Sequence, residues 1–124
     1  EMGWPLFRRF ISFENLVDPD RLVEIKLKTN EVERQYLHEE NRRINIDPGQ
    51  ISLERLILAT GKNYVHRIYL SKGIYADLTL IFQKEGFKAV PWTYPDYAAP
   101  EIVGYLNGVR KRYKDQLKEI NQSV

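Results

Sequence analysis

Apolar positions along the chain recur with two different periods, and the changes between them mark the elements. "LFRRFISF" (residues 6–13) puts Phe7, Ile11 and Phe13 on one side and reads as a strand. "DPDRLVEIKLKTNEVERQYLHEE" then takes up the helical period. Asp18 serves as N-cap, Pro19 stands at the first helical position and Asp20 suits the positive helix end. Leu22, Ile25, Val32 and Tyr36 mark its buried stripe. In "RRINIDPG", Ile44 and Ile46 point one way, Arg43, Asn45 and Asp47 the other, and Pro48-Gly49 turns the chain. "SLERLILATG" predicts a short helix from the N-cap Ser52 to the stop at Gly61. A hairpin follows in "NYVHRIYLSKGIYADLTL" (residues 63–80), then "FKAVPW" as a strand held to an edge by Pro91, then "WTYPDYAAP" as an aromatic loop. The last helix runs over residues 100–122 with Ile102, Leu106, Val109, Tyr113, Leu117 and Ile120 on one side; Gly104 and Gly108 within it require a close packing contact.

The order β–α–β–α–β–β–β–α predicts an α+β fold. Its sheet is mostly antiparallel, helices pack on one face, and residues 1–124 form a single domain.

Hairpin register follows from sorting apolar from polar side chains, because a one-residue slip changes which of them share a face. A three-residue turn at Ser71-Lys72-Gly73, with Gly73 left-handed, sets Ile68 opposite Ala76, Tyr69 opposite Tyr75 and Arg67 opposite Asp77. Ile68, Leu70, Ile74, Ala76, Leu78 and Leu80 then form a core face, with His66 on that side. Arg67, Tyr69, Tyr75, Asp77 and Thr79 form an open face. For the next strand two turns compete. A three-residue turn at Lys84-Glu85-Gly86 turns Val90 and Trp92 inward; a four-residue turn buries Phe87 and Ala89 and sends Trp92 to the open face.

Charge adds little at the level of the whole chain. Nineteen basic and 17 acidic residues leave a formal net charge of +2, which is no polybasic signature. Locally the balance shifts: residues 14–40 hold eight acids and four bases, residues 41–90 eight bases and four acids. With no cysteine there is no disulfide, thiolate chemistry or cysteine-bound metal, which fits a cytoplasmic protein. His38 and His66 are the only histidines and no metal-ligand spacing exists, so no metal and no cofactor are expected. No apolar run approaches the ~18 residues that span a bilayer, so no membrane partner is expected.

Candidate chemistry falls in three places. The hairpin face carries Arg67, Tyr69, Lys72, Tyr75 and Asp77; Trp92, Arg42, Arg43 and Lys62 add to an interleaving of basic and aromatic groups that suits phosphates and stacked bases. Asn45 and Asp47 share a strand face beside the Pro-Gly turn. Lys26, Asn30 and Glu33, at i, i+4 and i+7, line one flank of the first long helix and form a second candidate wall, over a cleft. "ATGKN" (residues 59–63) is not a phosphate loop: Leu56 stands where the motif needs glycine, and Asn63 where it needs Ser or Thr.

The blocks "FRRFISFENLVDPDRLVEIKLKTNEVE", "RRINIDPG", "LILATGKNYVHRIYLSKGIYADLTL" and "WTYPDY" resemble, in order, an uncharacterised bacterial family, a domain of unknown function whose members carry automatic labels as GTP-binding proteins. The likeness runs from about residue 7 to 117. It implies a longer protein with a strand–helix segment ahead of "GWPLFRRF", of which this chain is the C-terminal portion. The GTP label finds no phosphate loop and no guanine-reading motif here.

Three functions fit these residues. The first is binding of an anionic ligand, a nucleotide or short RNA, on the basic–aromatic sheet face. The second is a protein–protein interaction module, with a homo-oligomer among its forms. The third is a small metal-independent enzyme using Asp47 or Asp77 as a base.

Overall fold

Residues 8–38, 41–42 and 44–122 are described by a computed structural model of the chain. A 3-10 turn (Pro19–Arg21) leads into α1 (Leu22–Gln35), followed by a two-residue ribbon, β1 (Leu37–His38) and β2 (Asn41–Arg42). The main sheet contains β3 (Gly49–Ile51), β4 (Arg55–Thr60), β5 (Arg67–Ser71), β6 (Ile74–Gln83) and β7 (Gly86–Ala89). The short helix α2 (Pro95–Ala98) and the long α3 (Pro100–Gln122) complete it. This is an α+β fold with an antiparallel sheet in the order β3-β4-β6-β5, β7 also pairing with β6. Among the described residues no helix is long and apolar enough to cross a membrane.

β6 organises the sheet. β4 runs along one side of it, while β5 and β7 share the other, β5 beside Ile74–Asp77 and β7 beside Leu80–Gln83. Between Leu56↔Leu80 and Ile57↔Leu78 the pairing shifts by one, so Thr79 is an extra residue, a β-bulge. The bulge exchanges the faces. Before it, Ile74 joins Ala59 and Leu22 in a cluster under α1, with Val23, Leu27 and Ile57 alongside. After it, Leu80 joins Leu56, Phe87, Tyr97 and Leu106 in a second cluster under α2 and α3. Leu56 and Leu58 therefore face α3 while Ile57 and Ala59 face α1. The helical layer, expected on one face, is divided between both. At the level of the bulge neither β5 nor β7 reaches β6, and side chains from the 92–93 segment bond its carbonyls: Trp92 Nε1 donates to Leu78 O (2.6 Å) and Thr93 Oγ1 to Thr79 O (2.6 Å).

Several expectations are corrected. Residues 8–13 form no strand; Ile11 and Phe13 are exposed, and the segment lies along α3 through Tyr105 Oη donating to Ser12 Oγ (2.9 Å). Leu6 and Phe7 lie outside the described residues. "RLILAT" is β4, not a helix. Its apolar run is continuous because both faces are covered, and Ser52 closes the β3–β4 turn through Arg55 N–H to Ser52 Oγ (3.2 Å). Pro48-Gly49 does not turn the chain but enters β3. A Cβ at Gly49 would lie 2.7 Å from Leu58 Cδ2, so glycine permits the close approach. Gly104 and Gly108 meet nothing within 4 Å, so no packing contact explains them. "WTYPDYAAP" contains α2, started by Pro95 at its first turn.

The hairpin pairs as expected at Arg67↔Asp77, Ile68↔Ala76 and Tyr69↔Tyr75. Its turn is tighter: Lys72-Gly73 alone, with φ of 52° and 80°, closed by Ser71↔Ile74 after an irregularity at Leu70. The expected core face holds for Ile74 and Leu80 but not for β5 or for the polar residues of β6. Asp77 and Thr79 are buried, whereas Ile68 is 71% exposed, because α1 covers β4 and Ile74 but leaves the edge strand β5 bare. The turn after β6 is the two-residue Lys84-Glu85, and it buries Phe87 opposite Phe82.

Candidate functional site

A cleft opens where β3 stops short. Among the described residues β3 pairs only with Leu56–Leu58 of β4, and beyond it a single backbone bond, Ala59 N–H to Pro48 O (3.0 Å), ties β4 to the incoming chain. α1 approaches this edge from one face and α2 from the other. Between them lies a cavity of about 610 Å³, within the range of small-molecule sites.

α1 contributes Lys26, Asn30 and Glu33. Lys26 and Glu33 are buried, while Val32 and Tyr36 of the expected apolar stripe are exposed. The helix is thus rolled so that its polar flank faces inward. Glu33 Oε2 accepts the Ile46 N–H at 2.7 Å, and Lys26 Nζ donates to Ile46 O at 3.5 Å, so the two clasp the backbone of one residue on both sides. That grip sets Asn45 and Asp47 at the cleft, where the Asn45 amide donates to both Asp47 oxygens at 3.2 and 3.3 Å. Glutamate has a good bond; lysine has one at the limit of length, and Lys26 makes no ion pair among the described residues.

At the sheet end stand Thr60, Gly61, Lys62, Arg67 and Asp77. Asp77 is the hub of a buried network. Its Oδ2 accepts from Arg67 Nε at 2.8 Å and lies 3.1 Å from His66 Nε2; its Oδ1 accepts from Thr79 Oγ1 at 3.3 Å. Arg67 also donates from Nη1 to Lys62 O (3.2 Å), fastening the loop after β4. The imidazole of His66 stacks on Trp92 with centroids 4.8 Å apart. It was expected on the core side of the hairpin strands, but it lies before β5 in a turn closed by Arg67 N–H to Tyr64 O.

The third group comes from α2 and the chain before α1: Tyr94, Asp96 and Tyr97, with Arg8 bonded to Asp96 at 2.7 Å. The Tyr97 ring is packed edge-on against Phe10 in the core, while its phenol reaches the cleft. Burial, then the nearby carboxylates of Asp47 and Asp96, push its pKa up to about 12. Folding therefore gains from the protonated phenol at every pH below the unfolded value near 10, and the gain disappears as pH rises through 12. Ultraviolet titration should show one tyrosine ionising about two units late, absent in Tyr97→Phe. A tyrosine titration without that late step would contradict the placement.

Of the residues singled out by sequence, the cleft gathers Lys26, Asn30, Glu33, Asn45, Asp47, Lys62, Arg67 and Asp77. Asp47 and Asp77 share it, although Asp77's oxygens are already taken by its donors. Tyr69, Lys72 and Tyr75 stand apart at the hairpin tip, where Tyr69 Oη accepts the Gly73 N–H (3.2 Å) and packs on Tyr75. Trp92 is used against His66. Arg43 and the Arg42 side chain lie outside the described residues. Sequence reading missed Arg8, Thr60, Asp96 and Tyr97; the Pro95-Asp96 helix start was the one local signal for the last two. Among the described residues no cluster of ligands could hold a metal ion.

Neither the curated proteins nor the solved structures hold a match to this chain. The model of one family, described as "Domain of unknown function (DUF4416)", matches residues 1–113, and the chain belongs to that uncharacterised family.

Proposed function

We propose that the cleft binds a small ligand through an anionic group. Lys26 carries the reading. Its side chain is buried, it has no carboxylate partner among the described residues, and its one bond is 3.5 Å long. A buried ammonium is costly to keep unless something pairs with it. Phosphate and carboxylate groups both supply that pairing, and Lys62, exposed at the cleft, adds charge that draws an anion in. The cavity suits a small molecule better than RNA. Arg67 and Trp92, needed for a basic–aromatic sheet surface, are engaged with Asp77 and His66.

The test is a thermal-shift series at low salt with inorganic phosphate, GTP, ATP, acetate and a short RNA, on the protein and on Lys26→Met. A ligand at ~100 times its dissociation constant stabilises by about 2.7 kcal/mol, a rise of several degrees. We expect at least one small anion to give such a shift. We also expect Lys26→Met to lose it while melting at the same or a higher temperature without ligand, because a desolvated charge is removed. An unchanged shift in the variant, or no shift with any anion, refutes the proposal.

A further inference from the structure

We infer that the outer edge of β5 is the seam of a homodimer, in which β5 of one copy pairs antiparallel with β5 of a second about a two-fold axis at Tyr69. The inference is independent of the anion reading and concerns the end of the sheet opposite β3.

The edges of the sheet differ. β7 is covered by α3, whose Asn107 Oδ1 accepts the Phe87 N–H (2.9 Å), and β3 is tied to the 3-10 turn by the Gln50 amide donating to Pro19 O (3.0 Å). β5 has no such cover among the described residues. Its Arg67 N–H bonds Tyr64 O (3.0 Å) and not β6; backbone direction alternates along a strand, so the Tyr69 N–H and C=O also point outward. Such an edge is a template for another strand, and monomeric proteins blunt it with lysine, proline or an inward charge. From Asn63 to Ser71 there is no lysine or proline, and the one charge of β5, Arg67, is neutralised by Asp77. Its one irregularity, at Leu70, adjoins the turn. Tyr64, Val65, Ile68, Tyr69 and Leu70, from 41% exposed at Leu70 to 91% at Val65, present roughly 600 Å² along this edge, about what one partner contributes at the small end of specific dimers. A second copy fits because the edge is complementary to itself. A two-fold axis normal to the sheet keeps both α1 helices on one face. Opposed residues share a face and faces alternate along a strand, so only registers centred on a residue are allowed. The register centred on Tyr69 uses all five residues of β5. The two Tyr69 backbones then exchange N–H to C=O bonds, Ile68 lies opposite the second copy's Leu70 twice over, and no charge meets a like charge. Ile68 shares its face with Ala76 and Ala59, so these side chains extend the apolar surface that α1 leaves bare.

Sedimentation equilibrium on the full chain over a wide concentration range tests this. The area is at the small end, so a dimer that dissociates on dilution is expected. Ile68→Lys sets a charge at the seam. Because Ile68 is exposed in the single chain, the variant should melt as the dilute parent does, while its dimer dissociation constant rises at least about tenfold. The chain holds no cysteine, so single cysteine variants report the register without background. Opposed, hydrogen-bonded residues have Cα atoms about 5.5 Å apart, within disulfide range. Tyr69→Cys should therefore crosslink two copies under mild oxidation. Ile68→Cys stands two residues out of register with its own counterpart, beyond the roughly 7 Å limit, and should not. A chain that is monomeric at every concentration overturns the inference, as does a dimer that survives Ile68→Lys. A Tyr69→Cys chain that does not crosslink, or an Ile68→Cys chain that does, overturns the axis at Tyr69.

Discussion

Asp77→Ala is expected to lower stability by about 3–5 kcal/mol, the cost of stranding a buried charge. The substitution leaves Arg67, whose side chain is 12% exposed, and His66, 7% exposed, without the oxygen both of them use. Arg67 cannot swing into water without giving up Lys62 O, so the loop after β4 loosens with it. Thr79 also loses a side-chain partner, though it keeps Asp77 O at 3.1 Å. For a chain of this length the melting temperature should fall by roughly 10–20 °C. Urea denaturation checks the size, and a loss under about 1 kcal/mol would mean the network is solvated. The double variant Arg67→Met/Asp77→Leu separates charge from shape. It should recover most of the loss, since an apolar pair of similar volume avoids the desolvation that the ion pair requires.

Leu80→Ala is the second large effect, about 3–5 kcal/mol and towards the upper end for a leucine truncation. Leu80 has no exposed surface, and it stands opposite Leu56 in β4 and Ala89 in β7 within the cluster that includes Phe87, Tyr97 and Leu106. Those neighbours belong to the sheet and to both α2 and α3, so a void there cannot be closed by shifting one element. The denaturant midpoint should drop with little change in slope. A loss nearer 1 kcal/mol would show that Phe82 or Ile102 moves in to fill the space.

Much of the hairpin was legible because its opposed pairs are chemically matched. Arg67 meets Asp77 and Tyr69 meets Tyr75, and only one register makes both true. The last helix was legible too, since Ile102, Leu106 and Val109 repeat at the helical period. That Asp77 and Thr79 are buried while Ile68 and Leu70 are exposed was not legible, because it depends on where α1 ends its coverage and on a bulge that alternation cannot announce. β4 was misread for a related reason. "RLILAT" shows no alternation when both faces are covered, and a short apolar run suits a helix equally well. In α1 the apolar stripe was a misleading guide. Lys26 and Glu33 turn inward because they grip the Ile46 backbone, a partner 20 and 13 residues away that no local pattern contains. The cleft's α1 wall was nonetheless visible as a polar flank at helical spacing. Tyr97 was not, because an aromatic residue after proline in a loop carries no sign that a carboxylate from residue 47 will stand near it.

The extra residue at Thr79 gives β6 a property akin to a reading frame. Ile74 before it belongs to one core, and Leu80 and Phe82 after it to the other. Losing that residue would rephase everything downstream, driving Leu80 and Phe82 out of the core they share with α3. Length changes in this protein are therefore tolerable in its connections but not within this strand, where one residue more or less rewrites the partition of inside and outside.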